Sequence, residues 1–292
     1  MLNILLHNNK INYIKSKKTK NSLSILDYGT NGYDSLDIAI NKSILDLLDK
    51  QNKDKEVSVV IDSQLCVFNE IFCENEDSLE FHNNLSGNNS LTNHMDSYYY
   101  PIGIRDDHYL GIHIDKSIKK RLQNSVGMLD CSLTSFGVGI FSSEVLARYV
   151  FGAKTLDDYL IIRFITSNLI EVLYVDDGLF MFYGKYKLLK GKIKSLKSIG
   201  SIDSKTKIDS CLDKIIIKQS KTTAIIQKIF IYQSNGQSPI VKEFINNKKK
   251  TNIHLLNLFN HTNSSEIEMS IKDSFKCLSY AELGNIFRGM HV

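Results

Sequence analysis

Few residues in this chain are of types and spacings that could do chemistry, and each set has a plainer reading. Asp106-Asp107-His108 with His113 offers oxygen and imidazole donors of the kind that hold a metal, yet Asp106-Asp107 lies between two apolar runs, as a hairpin turn does. Asp176-Asp177-Gly178 lacks the spaced oxygen ligands and closing Glu of a calcium loop and reads as a turn. Asp157-Asp158 precedes a strand and reads as a solvated cap. Gly137-Val138-Gly139 lacks the third glycine of a dinucleotide fingerprint. Ser135, Ser142 and Ser143 stand outside any G-x-S-x-G elbow. His254 and His261 are too far apart for a one-turn helical pair. Tyr98-Tyr99-Tyr100 could stack bases, but no basic sheet face accompanies them, so they read as strand packing. No pair of titratable groups is placed as acid and base. The chain is therefore expected to be non-catalytic, with no metal and no cofactor.

Composition narrows the class. At 292 residues the chain is long enough for two domains. A net charge of +4 is spread among mixed acidic and basic residues, so the runs Lys15–Lys20 and Lys248–Lys250 read as solvated turns and not as nucleic-acid patches. Cys66, Cys73, Cys131, Cys211 and Cys277 form no CxxC, and their odd number points to free thiols in a reducing compartment. The most apolar region, 159–175, is broken by Arg163, Asn168 and Glu171, so no membrane span is expected. The opening MLNILLHNN is too short and uncharged for a signal sequence.

The elements that would position these residues come in two similar series. Leu2–Leu6, Ile11–Lys15 and Ser22–Tyr28 read as a meander of strands. A helix follows over 34–50, with Leu36, Ile40, Ile44 and Leu47 on one face. Val57–Ile61 and Leu65–Phe72 read as strands, 74–97 as a polar surface insertion, and Tyr98–Ile104 and Tyr109–Ile114 as a hairpin. Helices are expected over Lys116–Val126 and Ser142–Phe151, with extended Met128–Leu133 and Gly137–Phe141 between them. Then Tyr159–Ile165, Leu169–Val175 and Leu179–Lys185 form a second meander, turning at Asp177-Gly178. A lysine-rich connection, a helix over Ser204–Gln219, a strand within Thr223–Tyr232, a helix from Pro239, a strand at Asn252–Leu256 and a terminal helix from Phe275 to about Arg288 complete the plan.

This repeated order resembles the actin-like ATPase fold. Within it, "EVSVVIDSQLCVFNEIF" (56–72), the stretch 110–152, the opening hairpin, "IIQKIFIYQSNGQSPIVKEFI" (225–245) and "LSYAELGNIFRGM" (278–290) look most like the type IV pilus assembly protein PilM and the cytoplasmic domain of the type II secretion protein GspL. The resemblance implies an α/β protein of duplicated, ribonuclease H-like domains, 1–155 and 156–292. Each would hold a mixed five-stranded sheet flanked by helices, with a small insertion at about 66–108 in the first.

Members of the wider group that bind ATP place an Asp-x-Gly core after the first strand. The Asp helps hold a metal, and the Gly lets backbone N–H groups approach phosphate. Here Leu5 and His7 take those places, and Arg163 and Ile165 take them in the second half. Leucine offers Mg²⁺ no oxygen, and β-branched Ile cannot copy an open glycine backbone without strain. The adenosine turn is half kept as Ser234-Asn235-Gly236. The resemblance thus implies a degenerate nucleotide site and a cytoplasmic scaffold at the inner membrane. It would bind the cytoplasmic tail of a bitopic inner-membrane partner and an assembly ATPase, without nucleic acid or membrane insertion of its own, and with room for homo-oligomers. The alternatives are an active ATPase or kinase of the same fold, in which Arg163 pairs with phosphate, and a nucleic-acid-binding α/β protein.

Overall fold

A computed structural model of the chain describes residues 1–18, 23–36, 40, 44, 46–47, 56–73, 94–105, 107–150, 158–217, 226–234, 241, 252–261 and 280–287. In the first half, strands β1 (Leu2–Leu6), β2 (Lys10–Lys18), β3 (Leu23–Gly32) and β4 (Glu56–Ile61) are followed by β5 (Cys66–Phe72), β6 (Met95–Pro101) and β7 (His108–Asp115). Helix α1 (Lys116–Gly127), strand β8 (Ser132–Val138) and helix α2 (Gly139–Val150) complete it. The sheet order is β3-β2-β1-β4-β8, with β1 to β3 antiparallel and β4 and β8 parallel to β1. β1 is buried along its length and β4 from Val57 onward, as their nearly unbroken apolar runs require of central strands.

The second half repeats the scheme with β9 (Tyr159–Phe164), β10 (Leu169–Asp176), β11 (Leu179–Leu189), β12 (Lys192–Gly200), helix α3 (Ile202–Leu212), β13 (Lys228–Gln233) and β14 (Ile253–Leu255). Its order is β12-β11-β10-β9-β13-β14. Asp177 (φ 48°) and Gly178 (φ 74°) are both left-handed, which is the backbone a two-residue hairpin needs between β10 and β11. The second sheet has six strands where five were expected. The lysine-rich stretch taken as a connection is β12, paired antiparallel with β11 from Lys192 to Gly200.

Other boundaries move for local reasons. Residues 128–131 form a turn, with Asp130 at φ 53°, so the strand starts at Ser132 and α2 already begins at Gly139. α3 starts at Ile202 because Ser201 caps it by accepting from Ser204 N at 3.1 Å. It passes into a π-helical turn, Asp213–Ile217, and the expected residues 218–219 lie outside the described ones. Of the expected helix over 34–50, Ile40, Ile44 and Leu47 are buried as its periodicity requires. Most of 74–97 and the helix from Pro239 lie outside the described residues, except that β6 begins at Met95.

A third sheet, β5-β7-β6, runs from Cys66 to Asp115, past the expected end near 108. It reaches the second half through Phe68 stacked on Tyr183 (4.4 Å between ring centres), Gly103 N donating to Phe180 O, and Gly200 N donating to Glu70. α2 packs against β4 and β8 on one side and β9 and β10 on the other.

The two faces of the second sheet serve two cores. Leu160, Ile162 and Phe164 of β9 pack with Ile208, Cys211 and Leu212 of α3. Tyr159 and Ile161, one residue out of phase, join the core of the first half. Strand alternation therefore aims Arg163, like Glu171 opposite it in register, into the space between the halves.

Candidate functional site

Arg163 is fully buried between the two sheets, and its side chain meets three carboxylates. Asp62, the residue after β4, lies 2.9 Å from Nη2. Glu171, its cross-strand neighbour on β10, lies 2.8 Å from Nη1. Glu282 lies 3.0 Å from Nε. Two serines thread through the cluster. Arg163 Nε donates to Ser234 Oγ at 2.6 Å, and Ser234 in turn donates to Glu282. Arg163 Nη1 donates to Ser63 Oγ, which donates to Glu171 at 2.6 Å. A hydroxyl has one proton and two lone pairs, so each serine accepts from the guanidinium and passes a proton bond on to a carboxylate.

Each partner reaches this point for a local reason. Asp62 accepts from Gln64 N at 3.0 Å and caps a 3-10 turn, Ser63–Leu65, which turns the chain out of β4 and presents Ser63. Glu282 sits on a 3-10 helix, Ala281–Phe287, in which every residue is buried. This segment lies so close to α2 that a Cβ on Gly284 would fall 2.2 Å from the Ser142 carbonyl oxygen. The expected terminal α-helix is thus, in its described part, a 3-10 helix wedged against α2, with Glu282 delivered to the cluster. At the start of α2, a Cβ on Gly139 would lie 3.3 Å from Glu282 Cγ and 3.8 Å from Arg163 Nη1, so the positive end of this helix adjoins the carboxylates.

The cluster continues outward through the first sheet. His7 Nδ1 meets Asp62 Oδ2 at 2.5 Å, and Asn12 Nδ2 meets His7 Nε2 at 3.1 Å. Thr30 Oγ1 donates to Asn12 Oδ1 at 2.9 Å. With its oxygen taken by Thr30, the Asn12 amide presents N–H to the ring, which assigns the His7 proton to Nδ1, where it is donated to Asp62. On the other side Tyr183 donates to Glu171, and Lys185 Nζ lies 3.8 Å from the same carboxylate.

Electrostatics fix the charge states. Burial alone would raise the Asp62 carboxyl, but Arg163 and His7 outweigh it and hold Asp62 well below the usual carboxylate range. Burial alone would lower Arg163, and Asp62, Glu282 and Glu171 reverse that, so it stays charged. Burial, then the charge of Glu171, pushes the Tyr183 hydroxyl far up, so it remains a donor. Asp62 and Arg163 are thus held charged and Tyr183 is held protonated.

The residues singled out by sequence are placed as follows. Leu5 and Ile165 are buried apolar residues and make no ion pair or side-chain hydrogen bond in the cluster. His7, Arg163 and Ser234 meet in one network, as described. Asn235 and Gly236 lie outside the described residues. Where the alternative reading has Arg163 pair with phosphate, its Nη2, Nη1 and Nε lie within 3.0 Å of Asp62, Glu171 and Glu282. Asp62, Ser63, Glu171 and Glu282 were not singled out by sequence. The usable signal was Glu171, a lone acid in a buried strand that strand pairing sets across from Arg163. Asp107, in the turn that offered metal donors, pairs with Arg105 at 3.1 Å instead. His113 bonds Ser97 and Asn69.

Removing one partner of a buried ion cluster leaves uncompensated charge, which costs about 3–5 kcal/mol. Arg163→Ala is expected to lose stability of that size in urea melts, far more than Lys119→Ala at the half-exposed pair with Asp96. A second expectation concerns acid. The folded pKa of Asp62 lies below its unfolded value of about 3.9. Its contribution is therefore present above that pH and is lost as the pH falls below it toward the folded value. Urea melts from about pH 5 to about pH 2 should show a steeper loss in the parent chain than in Asp62→Asn. Equal slopes would place the acid sensitivity elsewhere.

The fold has a counterpart among solved structures. The chain is similar along 100% of its length to a chain of the PilM–PilN type IV pilus biogenesis complex, of which it covers 98%, with a TM-score of 0.63 and 6% identity. Weaker likenesses are a Bacteroides thetaiotaomicron protein with actin-like ATPase fold and unknown function (TM-score 0.46, 11% identity, 92% and 93% covered) and the cytoplasmic domain of EpsL, an inner membrane component of the type II secretion system of Vibrio cholerae (0.44, 8%, 81% and 83%). No protein-family model and no curated protein matches the chain. With two similarly ordered sheets around a shared helix and this full-length likeness, the chain has the actin-like fold in the form seen in the PilM–PilN complex.

Proposed function

We propose that this protein is a non-catalytic scaffold of a type IV pilus or type II secretion-like machine, held at the cytoplasmic face of the inner membrane through partners. It takes the short cytoplasmic tail of a single-pass membrane protein, and an assembly ATPase is a further partner. Two things support this reading. The full-length likeness is to a chain of a pilus biogenesis complex. The observation that carries it is Arg163. A guanidinium stands where ATP-binding members of the fold group would bring phosphate to the backbone, and carboxylates from both halves neutralise it. One guanidinium thereby joins Asp62 of the first half to Glu171 and Glu282 of the second.

Two titrations test the proposal. Calorimetry with Mg-ATP is expected to give no binding, and a micromolar dissociation constant would overturn the non-catalytic reading in favour of an ATPase or kinase. For the second titration, the first step is to read the neighbouring genes for a single-pass membrane protein; a synthetic peptide copying the cytoplasmic tail of such a protein is expected to bind saturably. If it does not, while the purified protein floats with bare liposomes, recruitment through a partner is wrong.

A further inference from the structure

Between Lys185 and Lys197 the chain reads KYKLLKGKIKSLK, six lysines with no acidic residue among them. These residues form most of the β11–β12 hairpin, and β12 is the terminal strand of its sheet. A groove of about 840 Å³ opens beside it, between the hairpin and α3. Tyr186 and Ile193 give it an apolar floor, and Lys190, Lys192 and Lys194 line one side. Its other wall carries Lys205, Asp209 and Asp213, one turn apart. Lys205 is tied to Asp209 at 3.3 Å, whereas the three hairpin lysines have no ion pair among the described residues.

The strand beside the groove is only half engaged. Its far end is fastened to the third sheet, where Lys197 Nζ donates to Phe68 O and Gly200 N to Glu70. Its near end, Lys192 to Leu196, keeps an outer backbone edge that no strand pairs among the described residues. Leu196 is the extra residue of a bulge there and is 53% exposed. Lysines that only guard an edge against aggregation need no apolar hollow beside them. Here charge, hollow and open edge coincide.

We infer that this edge and groove receive an extended acidic segment of a partner protein, added as a further strand beside β12. Side chains two apart on a strand share a face, so acids at alternate positions meet Lys192 and Lys194, and the apolar residues between them reach part-exposed Ile193. The surface is separate from the Arg163 cluster and stands whether or not the scaffold reading does.

Fluorescence anisotropy on the full chain tests it with a labelled peptide of alternating glutamate and valine, as long as β12. Saturable binding that weakens with salt is expected. Lys190→Glu with Lys192→Glu and Lys194→Glu should weaken it more than about tenfold. Replacing alternate valines of the peptide by proline should weaken it as much, because proline brings no N–H to a ladder. This proline arm needs no protein variant, so it decides even if the triple variant fails to fold. Absence of binding at low salt, an unaffected triple variant or an equally good proline peptide would overturn the inference. Equal competition by single-stranded DNA of matching charge would also overturn it, marking an unselective basic patch.

Discussion

A guanidinium cannot be taken out of water without neighbours that replace its hydration, and this requirement organises the centre of the molecule. Arg163 draws Asp62 from the first sheet, Glu171 from its own, and Glu282 from the buried 3-10 segment near α2. Such clusters add little net stability over a well-packed apolar core, because desolvation consumes most of the attraction. What they add is geometry. Charged groups tolerate few arrangements, so the two halves meet in one register and one spacing. The neighbouring aromatic contacts, Phe68 on Tyr183 and Phe141 near Tyr183, then pack against a fixed frame.

The alternation of the second sheet makes this possible at low cost to its own half. Every second residue of β9 and β10 belongs to the core under α3, which stays apolar. The intervening residues face the first half, and there polar groups replace apolar ones at Arg163 and Glu171 only. The line of hydrogen bonds from Thr30 through Asn12 and His7 to Asp62 extends the same frame across β2 and β1. Buried Asn12 and His7 are thereby linked in series between Thr30 and Asp62.

Much of this was legible in the sequence, and the exceptions have physical causes. The duplicated meander and the central strands announce themselves through short apolar runs with turn residues between them, and Asp177-Gly178 marks its hairpin by the backbone it permits. That Leu5, His7, Arg163 and Ile165 supply neither the Asp nor the Gly of a phosphate loop is plain from residue type alone. The partners of Arg163 were harder, because three carboxylates far apart in sequence become neighbours only after the halves close. β12 was hidden because one of its faces is almost wholly lysine and a bulge at Leu196 interrupts the alternation. The 3-10 segment Ala281–Phe287 gave no period to read, since all of its residues are buried.

The position of Glu282 in the chain bears on how the protein is made. Domains tend to fold as they leave the ribosome, first half first. The opening sheet would then emerge with Asp62 already beside His7 but still short of its guanidinium, and Arg163 would arrive long before the last acid that surrounds it. Nascent chains stalled before Tyr280 would carry an unfinished joint, open to water and to chaperones, until Glu282 emerges to complete it.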